Sequence, residues 1–197
     1  MRRFRDWEYW GRPVPSLGPL SARLLIIGLA PAAHGGNRTG RVFTGDRSGD
    51  WLYRALHRFG FANQPNSTDR NDGLRLIDCY ITAAVHCAPP DNKPALDEFA
   101  NCRPYFIEEL GALKSVQVVV PLGLIGFKAY FAGRKALGRK NPSPLPAFSH
   151  DGVVLLEDGV QVVSSYHPSQ QNTQTGKLTE AMFDEVFRKA RKRIDQA

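Results

Sequence analysis

The sequence predicts an α/β fold, a three-layer α/β/α sandwich around a central, mostly parallel four-stranded sheet. Short apolar runs alternate along the 197 residues with amphipathic stretches of helical length, as in strands joined by crossover helices. Polar, glycine-rich segments follow the apolar runs, and the ligand site of such a sheet lies at the carboxyl ends of its strands. The length suits one sizeable core, so we expect a single domain over residues 1–197.

The composition excludes several classes of protein. Hydrophobic residues make up 42% and charged residues 23%, which is typical of a globular chain and not of a disordered one. No apolar run is long enough to cross a membrane, and none follows Met1-Arg2-Arg3, so we expect neither a membrane span nor a secretory signal. Three cysteines are too few for a disulfide framework, so we expect a cytoplasmic protein with reduced thiols. We also expect a monomer. The net charge of +7 favours an anionic substrate or a polyanion.

The first elements are an arm, a strand, a loop and a helix. We expect residues 1–22 to form an ordered arm packed on the core, because large aromatic side chains are costly to leave in water. The aromatic residues in question are Trp7, Tyr9 and Trp10. Arg23–Gly28 is a short apolar run ending in glycine, which predicts a buried parallel strand. A long loop over residues 29–46 then leads to a helix over residues 48–59.

The rest of the chain continues the alternation. Strands are predicted at residues 77–85 and 116–122 and as a pair within residues 153–164. Helices are predicted at residues 95–113, 123–132 and 178–194. The segment 133–150 is basic and rich in proline, so we expect an exposed excursion there. Cations for a basic groove are available in this segment and in residues 189–193, and those of the segment are Arg134, Lys135, Arg139 and Lys140.

The loop after the first strand is the first candidate site. Its small residues let the backbone approach a flat ligand closely, and its glycines permit unusual backbone angles. Phe43 has few apolar neighbours in this polar loop, which makes it a candidate stacking face. Asp46 is the only carboxylate of the loop, and it could equally cap the helix that begins near Ser48. The loop has neither the dinucleotide-binding nor the P-loop glycine pattern, so phosphate binding by it is weakly supported.

The segment 164–172 is the second candidate site. His167 leaves a predicted parallel strand and is followed by Pro168, which would hold it at the ligand face. A neutral imidazole can donate a hydrogen bond to a carbonyl oxygen that gains negative charge. Ser169 and the backbone N–H groups after it could bind a phosphate. The alternative is a polar turn without chemistry.

The cysteines are weak evidence for a metal site. Cys87 and Cys102 flank a proline-rich turn, and Cys79 lies inside a predicted strand, where we expect it to face the core. An iron–sulfur cube usually takes four thiolates, and the sequence has three cysteines in all.

The two candidate sites together resemble one family. GLAPA and GNRTGRVFTGDRSGDWL, within residues 28–52, and YHPSQQN, residues 166–172, are similar to the motifs of the family 5 (type b) uracil-DNA glycosylases of bacteria and archaea. The resemblance extends over about residues 7–193. It implies the fold of that superfamily and an enzyme that flips a damaged base out of double- or single-stranded DNA, hydrolyses its N-glycosidic bond and has no lyase step.

The resemblance also implies residue roles. His167 would hydrogen-bond the departing base and Phe43 would stack on it. The pocket would further be lined by Leu29, Ala30, Ala32, Ala83 and Asn172. DNA contacts would come from Asn37, Arg38, Pro168, Ser169 and Gln170.

Two departures from the wider superfamily affect the chemistry. Most relatives in the superfamily place Asp or Asn at the position of Ala32 to orient water. This chain has alanine there, and in this it resembles family 5. Asp46 is then the first candidate for that task, and His34 is the second. Several relatives end the second strand with an asparagine that reads uracil, where this chain has Thr82-Ala83-Ala84. We therefore expect relaxed specificity that includes hypoxanthine and ethenocytosine.

Members of family 5 carry a [4Fe-4S] cluster on four cysteines. Cys87 and Cys102 match two of them, and the other pair would precede the arm. We therefore expect no complete cluster in the polypeptide as written, and no other cofactor.

Two further functions remain open. One is a hydrolase of free nucleosides or nucleotides on the same sheet. The other is a catalytically silent protein that binds damaged DNA. In a prokaryote, the glycosylase would associate with the nucleoid.

Overall fold

The protein has a mostly parallel five-stranded sheet between two layers of helices, in a computed structural model that describes residues 6–196. The sandwich is confirmed, but the predicted number of four strands is wrong, because both members of the pair within residues 153–164 join the sheet. The strands are β1 (Leu24–Gly28), β2 (Cys79–Ala83), β3 (Val118–Pro121), β4 (Val153–Leu155) and β5 (Gln161–Val163). Their spatial order is β2-β1-β3-β5-β4, and β4 is the antiparallel edge strand.

The central strand β1 explains why this order forms. All five of its residues are buried, because β2 and β3 flank it in parallel and helices cover both faces of the sheet. A continuous apolar run is the pattern expected of such a strand. The register places Gly28, at the end of β1, opposite Ala83, at the end of β2.

Helices form a layer on each face of the sheet. One apolar core joins α2 and α6 to the sheet, and a second core joins α3 and α4 to the opposite face. The helices are α1 (Gly36–Thr39), α2 (Arg47–Arg58), α3 (Leu96–Ala112), α4 (Leu124–Ala136), α5 (Gln170–Gln174) and α6 (Glu180–Asp195). Within residues 6–196, none of the helices combines the length and the apolar character needed to cross a bilayer.

The N-terminal arm runs along the loop that follows β1. Val14 is fully buried and donates its N–H to the carbonyl of His86. Nearer the N-terminus, the N–H of Trp10 donates to the carbonyl of Arg38. Trp7 keeps 52% of its surface exposed, so the arm leaves an indole in contact with solvent. Residues 1–5 of the expected arm lie outside the described residues.

The basic segment after the fourth helix does not begin as the exposed excursion that the sequence predicts. The helix continues to Ala136, and Arg134 within it is only 1% exposed. Its guanidinium donates to Asp158 Oδ2 at 2.8 Å, to the carbonyl of Lys140 at 2.8 Å and to Asn141 Oδ1 at 3.1 Å. The expectation is wrong for Arg134, because the carboxylate and carbonyl partners make burial of the guanidinium favourable.

We expect Arg134→Met to lower the free energy of unfolding by about 2–3 kcal/mol, because the hydrogen bonds from the buried guanidinium to Asp158, Lys140 and Asn141 are lost. Lys135→Met is the matched control, since Lys135 is the exposed next residue of the same helix. It should change the free energy of unfolding by less than about 0.5 kcal/mol. Urea denaturation of both variants measures the difference, and equal effects would contradict a structural role for Arg134.

Candidate active site

Three segments meet at the carboxyl edge of the sheet. The chain leaves β1 at Gly28 and β2 at Ala83, which are paired in register. Beyond β5, Ser165 bridges Leu122 and accepts a hydrogen bond from the N–H of Gly123. The two sequence motifs, residues 28–52 and 166–172, therefore emerge at the same edge of the sheet, where an open α/β sheet binds its ligand.

Phe43 is held in an unusual conformation at this edge. Its φ of +51° lies in the left-handed region, which residues other than glycine seldom adopt. The ring lies directly on Gly28, where an added Cβ would come within 2.9 Å of Phe43 Cζ. The carbonyl oxygen lies against Gly49, where an added Cβ would be 1.8 Å away. Two glycines thus make room for the aromatic ring and its backbone.

A buried polar network supports the loop that carries Phe43. The guanidinium of Arg41 donates to Thr44 Oγ1 at 2.9 Å, to Ser67 Oγ at 2.7 Å and to Asp72 Oδ2 at 2.7 Å. Burial tends to raise the pKa of Asp72, but the Arg41 bond and backbone N–H donors outweigh it and lower the pKa well below its ordinary value. The ion pair Arg41–Asp72 therefore fixes the loop on both sides of Phe43.

His167 lies beside Phe43. The two ring centroids are 6.1 Å apart, with 30° between the ring planes. The amide of Asn172 donates to the carbonyl of His167 at 2.9 Å, so Asn172 holds the His167 segment in place. Among residues 6–196, neither imidazole nitrogen of His167 has a hydrogen-bond partner. Burial lowers the pKa of His167 from 6.5 to about 4, so the imidazole is neutral at physiological pH.

Asp46 caps the second helix and also faces the loop interior. Its Oδ1 accepts the N–H of Gly49 at 2.9 Å, which is the N-cap bond of α2. Its Oδ2 lies so close to Gly35 that a Cβ there would be 2.1 Å away. Burial raises the pKa of Asp46, although hydrogen bonds from the backbone of Gly49 and Ser48 oppose the shift. Asp46 is therefore the N-cap of α2, and its carboxylate is also buried within the loop.

His34 and Arg38 belong to the supporting structure of the loop. His34 Nδ1 lies 2.6 Å from the hydroxyl of Tyr9 in the arm, a contact that the sequence analysis did not anticipate. Arg38 is buried, and its guanidinium donates to the carbonyls of His34 and Gly45. The structure thus turns the Arg38 guanidinium inward, although the resemblance assigns it to DNA. Asn37 is half-buried, and its carbonyl accepts the N–H of Gly11.

The expected pocket wall is made of small residues. Ala83 is buried at the end of β2, whereas Ala30 and Leu29 are half-buried at the start of the loop. The carbonyl of Leu29 accepts the N–H of Val85, which ties the loop to the segment after β2. The carbonyl of Ala32 accepts two backbone N–H groups at the start of α1, and its methyl side chain has no polar group.

The residues after His167 form a short helical turn. Pro168 is buried, and Ser169 is the N-cap of α5, whose Oγ accepts the N–H of Asn172. Gln170 is exposed at the first position of α5. Of the five residues expected to contact DNA, Gln170 is therefore the most accessible.

Two cysteines lie near one another without forming a complete metal site. The pKa of Cys87 is raised by partial burial and by the charge of Cys102. Cys79 is buried in β2, as expected. A [4Fe-4S] cluster takes four thiolates, and residues 6–196 contain no group of three side chains that could hold a metal ion. The described residues therefore do not by themselves supply the four ligands of such a cluster.

A separate apolar cavity of about 420 Å³ lies between α3 and α4. Phe99 and Ile125 are among its lining residues, and Arg103 and Lys128 are its cations. Neither Phe43 nor His167 lines this cavity, so it is distinct from the candidate site.

Comparison with known proteins identifies the family. A sequence model described as the uracil DNA glycosylase superfamily matches residues 15–191. A type-5 uracil-DNA glycosylase of Mycobacterium tuberculosis is 51% identical over 192 residues, which are 97% of this chain and 70% of that protein. One of Thermus thermophilus is 48% identical over 191 residues, 97% of this chain and 84% of that protein. A type-4 enzyme of Pyrobaculum aerophilum is 35% identical over 132 residues, 66% of this chain and 59% of that protein.

The family resemblance of the two sequence motifs is thereby confirmed over nearly the whole chain. The matched residues include both the loop that carries Phe43 and the segment that carries His167. The chain belongs to the uracil-DNA glycosylase superfamily and, within it, to the type-5 uracil-DNA glycosylases.

Proposed function

We propose that this protein removes uracil from DNA by hydrolysing the N-glycosidic bond, and that it also releases hypoxanthine and ethenocytosine. The names of its relatives support DNA as the substrate and uracil as the released base. The observation that carries the proposal is the neutral His167 imidazole, which has no partner among the described residues and lies beside the Phe43 ring. An aromatic face and a neutral hydrogen-bond donor are what a flipped base requires.

The spacing of the two rings constrains how a base would bind. Stacked bases lie about 3.4 Å apart, so a base between two parallel rings needs about 7 Å. The centroids of Phe43 and His167 are only 6.1 Å apart. The base therefore stacks on Phe43 alone and meets His167 with its edge, so that the imidazole donates to a base oxygen.

The proposed reaction is dissociative. The glycosidic bond breaks with its electron pair on the base, which leaves a sugar oxocarbenium and a base anion. A neutral His167 donates a hydrogen bond to the oxygen of that anion and stabilises it more strongly as charge develops. Water then adds to the sugar carbon, and the proton it loses is passed through solvent to the base anion, which gives an abasic site and the free base.

Asp46 is the residue proposed to position the water. Ala32 has a methyl group where most relatives of the superfamily place a polar side chain, so another residue is needed to position the water. Asp46 lies in the same loop as Phe43, and its raised pKa makes its carboxylate a stronger base than an exposed aspartate. His34 is the second candidate, but its Nδ1 already contacts Tyr9.

Small residues support the broad specificity. Ala83 ends β2 and carries no group that could read the edge of a base. A site without a base-edge hydrogen bond loses little when the base changes, whereas a site with one rejects analogues strongly. Shape and the leaving-group stability then rank the bases.

Single-turnover release from duplexes that contain uracil, hypoxanthine or ethenocytosine tests the proposal. We expect alkali-labile abasic sites from all three duplexes, with none from a duplex of normal bases. Release from free deoxyuridine but not from DNA would instead show a nucleoside hydrolase. Binding of the damaged duplexes without any release would show a silent damage-binding protein.

We expect the rate of uracil release to show no inflection near pH 6.5, because His167 in the folded protein protonates only as the pH approaches about 4. Between pH 6.5 and 4 the unfolded state binds the proton and the folded state does not. The contribution of His167 to the free energy of unfolding is therefore constant above pH 6.5, and that free energy falls as the pH decreases from 6.5 to 4. Single-turnover rates and urea denaturation, each from pH 8 to 4.5, measure both effects.

His167→Ala should lower the release rate by about 100-fold at pH 7, the scale of one lost donor to a developing anion. It should also make the free energy of unfolding fall less steeply between pH 6.5 and 4, because the contribution of His167 is removed. His57→Ala is the matched control, since His57 is exposed in the last turn of α2. A wild-type rate for His167→Ala would contradict the mechanism.

Asp46→Asn separates the two roles of Asp46, because asparagine caps a helix about as well as aspartate but cannot act as a base. We expect release to slow by about 100-fold while the melting temperature stays close to the wild-type value. Asp46→Ala, the companion variant, should both slow the release of uracil and lower the melting temperature, because it also removes the helix cap. An unchanged rate for Asp46→Asn would leave Asp46 with only its structural role.

A further inference from the structure

We propose that the arm adds a second DNA-binding surface, built from Trp7, Trp10, Arg12 and Arg70 and called the arm face below. Its partner is the unpaired stretch of DNA next to the flipped nucleotide. The inference rests on the proposed function, because that function supplies the extrahelical base and its unstacked neighbours.

The aromatic rings and guanidinium groups of the arm face are stacked. The guanidinium of Arg12 lies 3.9 Å from the Trp10 ring centroid, and that of Arg70 lies 4.8 Å from it. Arg38 similarly lies 4.2 Å from the Trp7 ring, which keeps 52% of its surface exposed. Arginine held flat on an aromatic ring keeps its N–H edge available for phosphate oxygens.

No ion pair within residues 6–196 neutralises the two arginines of the arm face. Arg12 and Arg70 are exposed, and no carboxylate of residues 6–196 forms an ion pair with either of them. Some of the cations that the sequence offered for a basic groove instead form ion pairs with carboxylates. Arg134 pairs with Asp158, and Lys189 pairs with Asp151.

Arg134 and the end of α6 also differ in position from the arm face. The turn around Asp158 precedes β5, so Arg134 lies at the amino edge of the sheet. The guanidinium of Arg23, just before β1, donates to the carbonyl of Ile194, which places the end of α6 at that edge as well. The candidate site lies at the carboxyl edge, so Arg134 and the end of α6 lie away from it, whereas Lys189 pairs with Asp151, whose N–H donates to the carbonyl of Ser164 at the carboxyl end of β5.

The arm face borders the candidate site directly. Trp10 lies against Gly40, where an added Cβ would be 2.8 Å from the indole, and the backbone N–H of Trp10 donates to the carbonyl of Arg38. Tyr9, two residues from Trp7, contacts His34 of the same loop. A strand that runs from Phe43 along this loop therefore meets the exposed indole of Trp7 and the guanidinium groups of Arg12 and Arg70.

Unpaired DNA is the ligand that this combination suits. Proteins that bind single strands combine aromatic side chains, on which bases stack, with cations that contact the backbone. A closed duplex offers phosphates but no free base faces. The nucleotides beside an extruded base offer both.

The experiment compares charge-matched variants by the salt dependence of their affinity for an undamaged single-stranded oligonucleotide. Each phosphate contact contributes about 0.7 to the slope of log Kd against log salt for single strands. We expect the double variant Arg12→Gln, Arg70→Gln to lose about 1.4 of that slope. The control Lys135→Gln, Lys192→Gln removes the same charge at exposed positions of α4 and α6, and its slope should match the wild type.

Two further variants separate binding from folding. Arg12→Lys, Arg70→Lys keeps the charge and should keep the slope. Trp7→Ala should weaken binding of the single strand about tenfold or more and binding of a closed duplex much less. If Trp7→Ala and the double variant Arg12→Gln, Arg70→Gln lower only the melting temperature, the arm face serves stability alone and the proposal is overturned.

Uracil release by the wild-type protein, measured alongside, distinguishes this failure from failure of the proposed function. A wild type that releases uracil while the Gln variant keeps its salt slope overturns the arm face alone. A wild type that neither binds DNA nor releases uracil overturns both.

Discussion

The backbone of Phe43 is the constraint on which the candidate site depends. A left-handed conformation at a residue other than glycine costs about 1–3 kcal/mol and persists only where the surroundings impose it. Gly28 and Gly49 leave room for the ring and the carbonyl, and the Arg41–Asp72 pair holds the loop around them. Because the ring is fixed before any ligand arrives, stacking a base on it does not have to order the loop. The strain is thus part of a preformed binding face.

His167 applies the same logic to charge. Its imidazole is desolvated, which keeps it neutral, and its position is set through the backbone by Asn172. Fixed dipoles in a water-poor site stabilise a developing anion without reorganising during the reaction, whereas solvent would have to reorient. The absence of a protein partner for the ring nitrogens, within residues 6–196, leaves this dipole for the ligand. In the proposed reaction, Phe43 therefore stacks on the base and His167 hydrogen-bonds it.

Much of the fold could be predicted from local patterns. The continuous apolar run of β1 and the motifs around Phe43 and His167 are visible in the sequence, and the family and the sandwich are confirmed. What failed depends on partners distant in the chain. Arg134 was expected on the surface because its partner Asp158 is 24 residues away, and the Tyr9–His34 contact joins residues 25 apart. A buried arginine and an exposed one look identical until the partner is known.

The distribution of the excess charge follows from this distinction. A net charge of +7 attracts a polyanion from a distance, and every unpaired cation contributes to that field. Contact is more selective, because a cation must be both exposed and on the edge that carries the site. Lys135 and Lys192 meet only the first condition, and Arg38 meets only the second. Arg12 and Arg70 meet both and lie over the Trp10 ring, so the proposed arm face would turn general electrostatic attraction into contact beside the candidate site.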